Sequence, residues 1–331
     1  MMLTRREVLL AGASISVAAL AISGSQPAEA ASECFWNIAA TPDLDPGFWT
    51  YAPALETKLG RKFAGFRWNA VQAAMPHLDQ YNQAYDYGWH WAYVNGKPSP
   101  PSGSYAGYWR ATANGTYDSF WKSYFAAVKA DTRWTSTKPL HFSYHHEQSV
   151  TTEGGGLTNG PPSDYIAAYR HVAALMDAQG AHVAQGGNML RCWVPMWTQF
   201  ANPSNPFYAP KCDPGSQFYD VIGQDAYLKS TASFTAKQQY QPLHDYAVRV
   251  GKPWITGEMG VAGSDAKVVA YLKQLDSLLK GWGAGSGPGQ VLGLCWTSRV
   301  ASGGDYRMDA TTTRLAQYKA MAHDSFYGAV T

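Results

Sequence analysis

Charge is scarce in this sequence. Charged residues fill 15% of 331 positions, well below the usual quarter. Lys and Arg number 26 against 24 Asp and Glu, a net +2. There is no basic excess to neutralise a phosphate backbone, so nucleic acid is excluded as a partner. Cysteine is scarce too. Four in a chain this long exclude a small disulfide-framework fold. Beyond the N-terminal segment no apolar run reaches the ~18 residues of a membrane span, so no membrane association is expected of the mature form. Gly-x-Ser-x-Gly and His-Glu-x-x-His are both missing, which argues against a serine hydrolase of the nucleophile-elbow type and a zincin. Cys-x-x-Cys is missing as well, and neither a metal nor a cofactor is expected. Aromatics, by contrast, are abundant at 14%, too many for a disordered chain.

Residues 1–30 read as a signal peptide and residues 31–331 as one catalytic domain. Arg5 and Arg6 form a charged start, an apolar stretch runs from Val8 to Ile22, and Ala28-Glu29-Ala30 supplies small residues before a cut. The segment resembles a twin-arginine leader, which implies export to the periplasm, the cell envelope or the medium. An exported chain can keep disulfides. Cys192 and Cys212 flank a Pro/Asn-rich loop and are the favoured pair. Cys34 and Cys295 lie near the two ends of the mature chain and form a second pair or stay as buried thiols.

Residues 31–331 contain no linker, charge run or internal repeat. Short apolar runs alternate with helical patterns. The expected strands are Cys34–Ala39, Ala64–Asn69, Tyr87–Ala92, Leu140–His145, Cys192–Pro195, Val221–Gln224, Trp254–Thr256 and Val291–Thr297. The expected helices are Tyr117–Asp131, Ser163–Gln179 with Ser163 as N-cap, Ala236–Val250, Ser264–Gly281 and Thr311–His323. This rhythm predicts an α/β protein, a single (β/α)8 TIM barrel. The rival, a doubly wound open sheet, wants a Gly-rich turn after its first strand, where this chain has Ala39-Ala40-Thr41-Pro42-Asp43. A long loop from Tyr93 to Asn114 is expected to wall one side of the cleft.

Reactive groups in such barrels stand at the C-terminal ends of strands. Two of those ends carry a glutamate: Glu147, after His145-His146 on the fourth strand, and Glu258, after Thr256-Gly257 on the seventh. Paired carboxylates facing each other across a barrel mouth suit glycoside hydrolysis. One protonates the leaving oxygen and the other attacks the sugar or activates water.

The motifs His146-Glu147, Gly223-Gln224-Asp225-Ala226-Tyr227 and Lys252-Pro253-Trp254-Ile255-Thr256-Gly257-Glu258-Met259-Gly260 resemble those of clan A retaining glycoside hydrolases. They are most similar to family 26, the β-mannanase family. The resemblance runs in motif order through residues 31–331. It implies Glu147 as acid/base, Glu258 as nucleophile, Tyr227 and Arg67 beside the nucleophile, and Trp296 as an aromatic floor for the sugar. It also implies a carboxyl separation of about 5–5.5 Å, the retaining distance. The chain departs from the family where His146-Glu147 continues as Gln148-Ser149 rather than Met-Asn. The likeness therefore implies the reaction class and a β-linked glycan, mannan-like or other.

Glu258 is expected to be held ionised by Arg67 and Tyr227, and Glu147 to stay protonated through burial near Tyr144 and His146. His146 is read as an orienting hydrogen-bond donor, and Gln148 as a binder of a sugar hydroxyl or a loop cap. Trp89, His90 and Trp91 are expected to close the third strand, with His90 and Trp91 offered to the sugar. The combined expectation is an exported, monomeric, cofactor-free hydrolase of a polysaccharide or oligosaccharide. The rival is a carbohydrate-binding barrel without turnover.

Overall fold

A computed structural model describes residues 34–39, 47–71, 78–98, 100, 104–149, 156–301 and 303–328. The expected leader and the boundary at residue 30 lie outside the described residues. Eight parallel strands close into one barrel in chain order. They are β1 Phe35–Ala39, β2 Gly65–Val71, β3 Trp91–Lys97, β4 Leu140–Tyr144, β5 Met189–Trp193, β6 Val221–Leu228, β7 Trp254–Val261 and β8 Val291–Thr297. Helices α1 (Phe48–Leu59), α2 (Leu78–Tyr87), α3 (Tyr108–Ala113), α4 (Asp118–Ala130), α5 (Pro162–Ala178), α6 (Trp197–Ala201), α7 (Ala209–Cys212), α8 (Ala236–Val250), α9 (Asp265–Trp282) and α10 (Thr312–Ala322) follow between and after the strands. A short hairpin of β9 (Val300–Ala301) and β10 (Gly304–Asp305) caps the eighth strand. No helix among the described residues is long and apolar enough to cross a membrane. The expected single (β/α)8 barrel is the observed fold.

Local chemistry sets the element ends. Thr235 caps α8 and forms a reciprocal box with Gln238, while Gly251, in the left-handed region, stops the helix. Ser264 and Thr311 cap α9 and α10. Ser163 is not the cap of α5. The helix starts one residue earlier, with Pro162 in its first turn, where a missing N–H costs nothing.

Strand alternation divides the core into two layers. Outward side chains such as Trp36, Phe142, Tyr144 and Trp296 pack under the helices. Inward ones such as Trp91, Tyr93, Cys192, Val194, Ile255 and Cys295 fill the barrel. The four cysteines are free and buried. The expected Cys192–Cys212 staple is therefore corrected: Cys192 belongs to the inner layer and Cys212 to the outer one. Cys34, just before β1, and Cys295, on the neighbouring strand β8, are also unbonded. Burial pushes the Cys212 thiol up to about 12, and the other three thiols are raised by burial too.

The third strand is displaced from its expected position. Tyr87 ends α2, Gly88 turns the chain at φ 104°, and Trp91 opens β3 rather than closing it. Trp89 is wholly buried below the barrel, where its Nε1 donates to the Glu56 carboxylate at 2.8 Å and its ring stacks on Trp49. Its aromatic neighbourhood belongs to helix packing and not to the cleft.

Candidate active site

Arg67 on β2, Asp225 and Tyr227 on β6, and Thr297 on β8 all point into the barrel near its C-terminal mouth. Each follows from alternation: Phe66, Ala226 and Trp296 beside them face the outer core. Glu258 requires an irregularity. Strand β7 pairs Thr256 with Gln224 and then Glu258 with Asp225, so Gly257 is an extra residue in the ladder. Ile255 faces inward. Strict alternation would therefore turn Glu258 outward with Thr256. The bulge resets the phase and aims Glu258 into the mouth. Only glycine fits the bulge, because a Cβ at position 257 would stand 2.4 Å from Asp225 Oδ1 and 2.8 Å from Val194 Cγ1. Gly257→Ala is expected to lower stability by about 1–3 kcal/mol through this overpacking. Urea unfolding checks this, and a change within about 0.5 kcal/mol would refute the packing argument.

Glu147 sits just past β4 on a strained turn. His145 and Glu147 adopt φ of 45° and 51°, conformations that non-glycine residues rarely hold. Each such residue costs on the order of 1 kcal/mol and persists only where its surroundings dictate it. The backbone shows how. The His145 N–H donates to Gly96 O at 3.1 Å, the Glu147 N–H to Val194 O at 3.0 Å, and the His146 N–H to Asn95 Oδ1 at 3.0 Å. Strands β3 and β5 thus clamp the turn from both sides. Trp109 of α3 adds a hydrogen bond from Nε1 to His145 Nδ1 at 2.7 Å. The expected loop from Tyr93 to Asn114 is only partly a loop: residues 93–97 belong to β3 and Tyr108–Ala113 forms α3, whose Trp109 packs against this side of the mouth.

The charged groups form one chain of contacts. The guanidinium of Arg67, fully buried, touches Glu258 Oε1 and lies 3.8 Å from Asp225 Oδ2. Burial disfavours its charge, but Asp225 and neighbouring groups outweigh this and hold its pKa above the usual arginine value. The Tyr227 hydroxyl donates to Glu258 Oε2, and it meets Thr297 Oγ1 at 2.8 Å. Burial raises the Tyr227 phenol, so it stays a donor at neutral pH. His146 Nε2 lies 3.5 Å from Asp225 Oδ2 and 3.9 Å from Glu147 Oε2. Burial, reinforced by Arg67, pulls its pKa well below 6.5, so the imidazole is neutral. Glu147 is close enough to bear electrostatically on both Arg67 and Tyr227. Such an arrangement holds one carboxylate, Glu258, charged between a cation and a hydroxyl. It keeps a second, Glu147, beside a neutral imidazole.

Ligand atoms of His146, Asp225 and Glu258 lie within 4.8 Å of one another, as a metal centre would require. Arg67 already bridges the two carboxylates of that trio, and its fixed charge opposes a second cation there. His141 on β4 and His145 just after it, four apart, do not converge: His141 stacks on Trp91 inside the barrel and His145 bonds to Trp109.

Of the residues expected at the site, Glu147, Glu258, Arg67, Tyr227 and His146 come together. Three do not. His90 and Trp91 lie at the N-terminal end of β3, at the opposite end of the barrel from Glu147. Trp296 is wholly buried and faces outward, against Trp36 and Tyr318 of α10. Gln148 is also fully buried, and its side-chain amide has no hydrogen-bond partner among the described residues. Sequence reasoning passed over Asp225, Thr297 and Asn95. Asp225 was visible in principle, two residues before Tyr227 and hence on the same face of one strand. A groove of about 490 Å³ is lined by Ser149, two residues past Glu147, and by Leu157, Met196, Thr198 and Phe207 among others.

No protein-family model matches the sequence, and no curated protein matches it significantly. Solved structures do match by shape. A modular endo-β-1,4-mannanase of glycoside hydrolase family 26 from Cellulomonas fimi superposes with a TM-score of 0.61 at 16% identity, covering 89% of this chain and 71% of its own. The catalytic domain of a family 26 endo-β-1,4-mannanase from Bacillus sp. JAMB-750 gives 0.61 at 16%, covering 89% and 86%. A family 26 β-mannanase from Bacteroides ovatus gives 0.56 at 12%, covering 89% and 90%. These likenesses independently establish that the chain has the barrel fold of the family 26 mannanases.

Proposed function

We propose that this chain is an exported retaining glycoside hydrolase that cleaves a β-linked glycan by double displacement. The single observation that carries the reading is the inward cluster of Arg67, Glu258, Tyr227, Asp225, His146 and Glu147 at the C-terminal mouth of the barrel. The solved barrels of similar shape, described as family 26 mannanases, support the reaction class.

Glu258, ionised against Arg67 and Tyr227, attacks the anomeric carbon. The bond from that carbon to the leaving oxygen breaks as Glu147 delivers its proton to the oxygen. The glycosyl ester on Glu258 is then hydrolysed by water that Glu147 deprotonates, which returns both groups to their starting states. His146, neutral throughout, orients Asp225 and Glu147 rather than carrying the proton. Asp225 holds Arg67 and with it the position of Glu258. The sugar floor is not Trp296, which the helices cover.

A panel of soluble polysaccharides read by reducing-end release tests the function. Release on at least one β-linked glycan, with the first-formed product keeping the anomeric configuration of the substrate, is the expected result. Binding without turnover on every glycan would make the chain a carbohydrate-binding barrel, and early product of inverted configuration would refute double displacement.

A further inference from the structure

Large apolar side chains are costly to leave in water, and the described residues expose few of them: Leu157, Phe234, Val248 and Val300. Three of these four stand on segments after β4, β6 and β8, at the mouth end of the barrel. Phe234 is 44% exposed. Its ring meets that of Trp197 edge to face, with centroids 4.8 Å apart. Trp197 opens α6 after β5, and Phe234 precedes α8 after β6, so two mouth loops each contribute one ring.

The ordinary reason for an apolar residue at the position of Phe234 is absent. It lies just before the helix cap Thr235, where such a residue packs against the fourth residue of the helix. That fourth residue is Gln239, which is wholly buried and bonded instead to Tyr227 O and to the Tyr271 hydroxyl. Phe234 therefore does not serve as a hydrophobic staple.

Both rings are held by rigid supports. Asp225 donates its N–H to Pro195 O at 3.0 Å, and Met196 bridges to Asp225, so the start of α6 is fastened to the charged cluster itself. The buried Gln199 then ties α6 down, accepting from Met196 N at 2.9 Å and donating to Phe207 O at 2.8 Å. On the other side, Lys267 Nζ donates to the carbonyls of Lys229, Ser230 and Ala232, which fixes the segment leading to Phe234. Met196 and Thr198 line the groove that Ser149 also lines, whereas Trp197 between them turns to Phe234. An aromatic pair carried by two mouth loops, partly open to water and fastened to the charged cluster through Met196, suits the apolar CH face of a pyranose.

We propose that Trp197 and Phe234 form a distal platform for a sugar ring of the substrate, several units from the bond that breaks, so that the substrate is an extended glycan and not a short glycoside. The proposal rests on the glycosidase reading and adds chain length to it. Distal contacts bind ground state and transition state alike, so their loss is read in KM.

The test compares kcat/KM on a hexasaccharide of the hydrolysed glycan with kcat/KM on an aryl disaccharide of the same sugar. Phe234→Ala should lower the ratio of the two about tenfold, through KM on the hexasaccharide, and Phe234→Trp should restore it. Val248→Ala, an exposed apolar truncation on α8, controls for loss of surface area. An unchanged ratio in Phe234→Ala, or equal losses on both substrates, would overturn the platform while leaving the glycosidase intact. If the wild type hydrolyses no glycan, the glycosidase reading fails. The platform is then read by affinity electrophoresis through the same polysaccharides. Retardation of the wild type that Phe234→Ala abolishes supports it, and no retardation overturns it.

Discussion

Replacing Glu258 with alanine should reduce hydrolysis by about 10⁴-fold or more, because it removes the atom that makes the new bond. Replacing Glu147 should cost about 10²–10⁴-fold on a glycan, and far less on an aryl glycoside whose leaving group needs no proton. Azide separates the two roles. In Glu147→Ala it should intercept the glycosyl ester and give a product of retained configuration. In Glu258→Ala it should attack the sugar directly and give the inverted product. The stability of the two variants should also differ. An open cleft suggests that neither change matters to the fold, yet Glu258 faces a guanidinium that is wholly buried. Its removal leaves that charge half-compensated by Asp225, at a cost of about 3 kcal/mol. Glu258→Gln keeps one acceptor oxygen for Arg67 and turns an amide N–H toward the Tyr227 hydroxyl, which can accept, and is the cleaner variant. The bond from the Glu147 N–H to Val194 O survives truncation, so Glu147→Ala should cost less stability than Glu258→Ala. Near-normal turnover in either alanine variant would remove that glutamate from the mechanism.

The barrel and both glutamates were legible in the sequence because each strand contributes a local signal that survives averaging. The errors have physical causes. The run Tyr87–Ala92 looks like a strand because it is aromatic, but Trp89 serves the floor of α1 and Glu56. The true strand ends in Asn95-Gly96-Lys97, which reads as a turn. Gly96 is there because Phe142 and Trp121 fill the space of a Cβ, with Phe142 Cε2 at 2.7 Å from it. Trp296 was misassigned although parity was available. Cys295 and Thr297 flank it and face inward, so it must face the helices. The bulge at Gly257 could not be read, since it depends on the pairing of β7 with β6 and not on either strand alone. The disulfide expectation failed for a similar reason. Spacing in sequence says nothing of which layer a cysteine occupies.

Stability should fall as pH drops from 7 to 5. Three histidines on and just after β4 are responsible. Burial lowers His141 to about 4, against a lesser pull upward from the backbone of Ala92. Burial lowers His145 and His146 well below 6.5, and Lys97 and Arg67, respectively, add to that. A folded-state pKa below the unfolded one means that the unfolded chain binds more protons at acid pH. The stabilisation is complete above about 6.5, the unfolded value, and is lost as pH falls toward the folded value. His141 alone then accounts for about 2 kcal/mol lost at pH 5, and His145 and His146 act with the same sign. Urea unfolding at pH 7 and pH 5 measures the total. In His141→Gln the difference between the two pH values should shrink by about 2 kcal/mol. Equal stability at both pH values would mean that these imidazoles are charged in the native state. That result would also undo the mechanism, since a charged His146 could no longer leave Glu147 beside a neutral neighbour. The acid limb of activity must be separated from this unfolding by returning acid-treated enzyme to pH 7. Activity that is lost while circular dichroism stays native, and recovered on return, assigns the limb to titration of a group in the folded site.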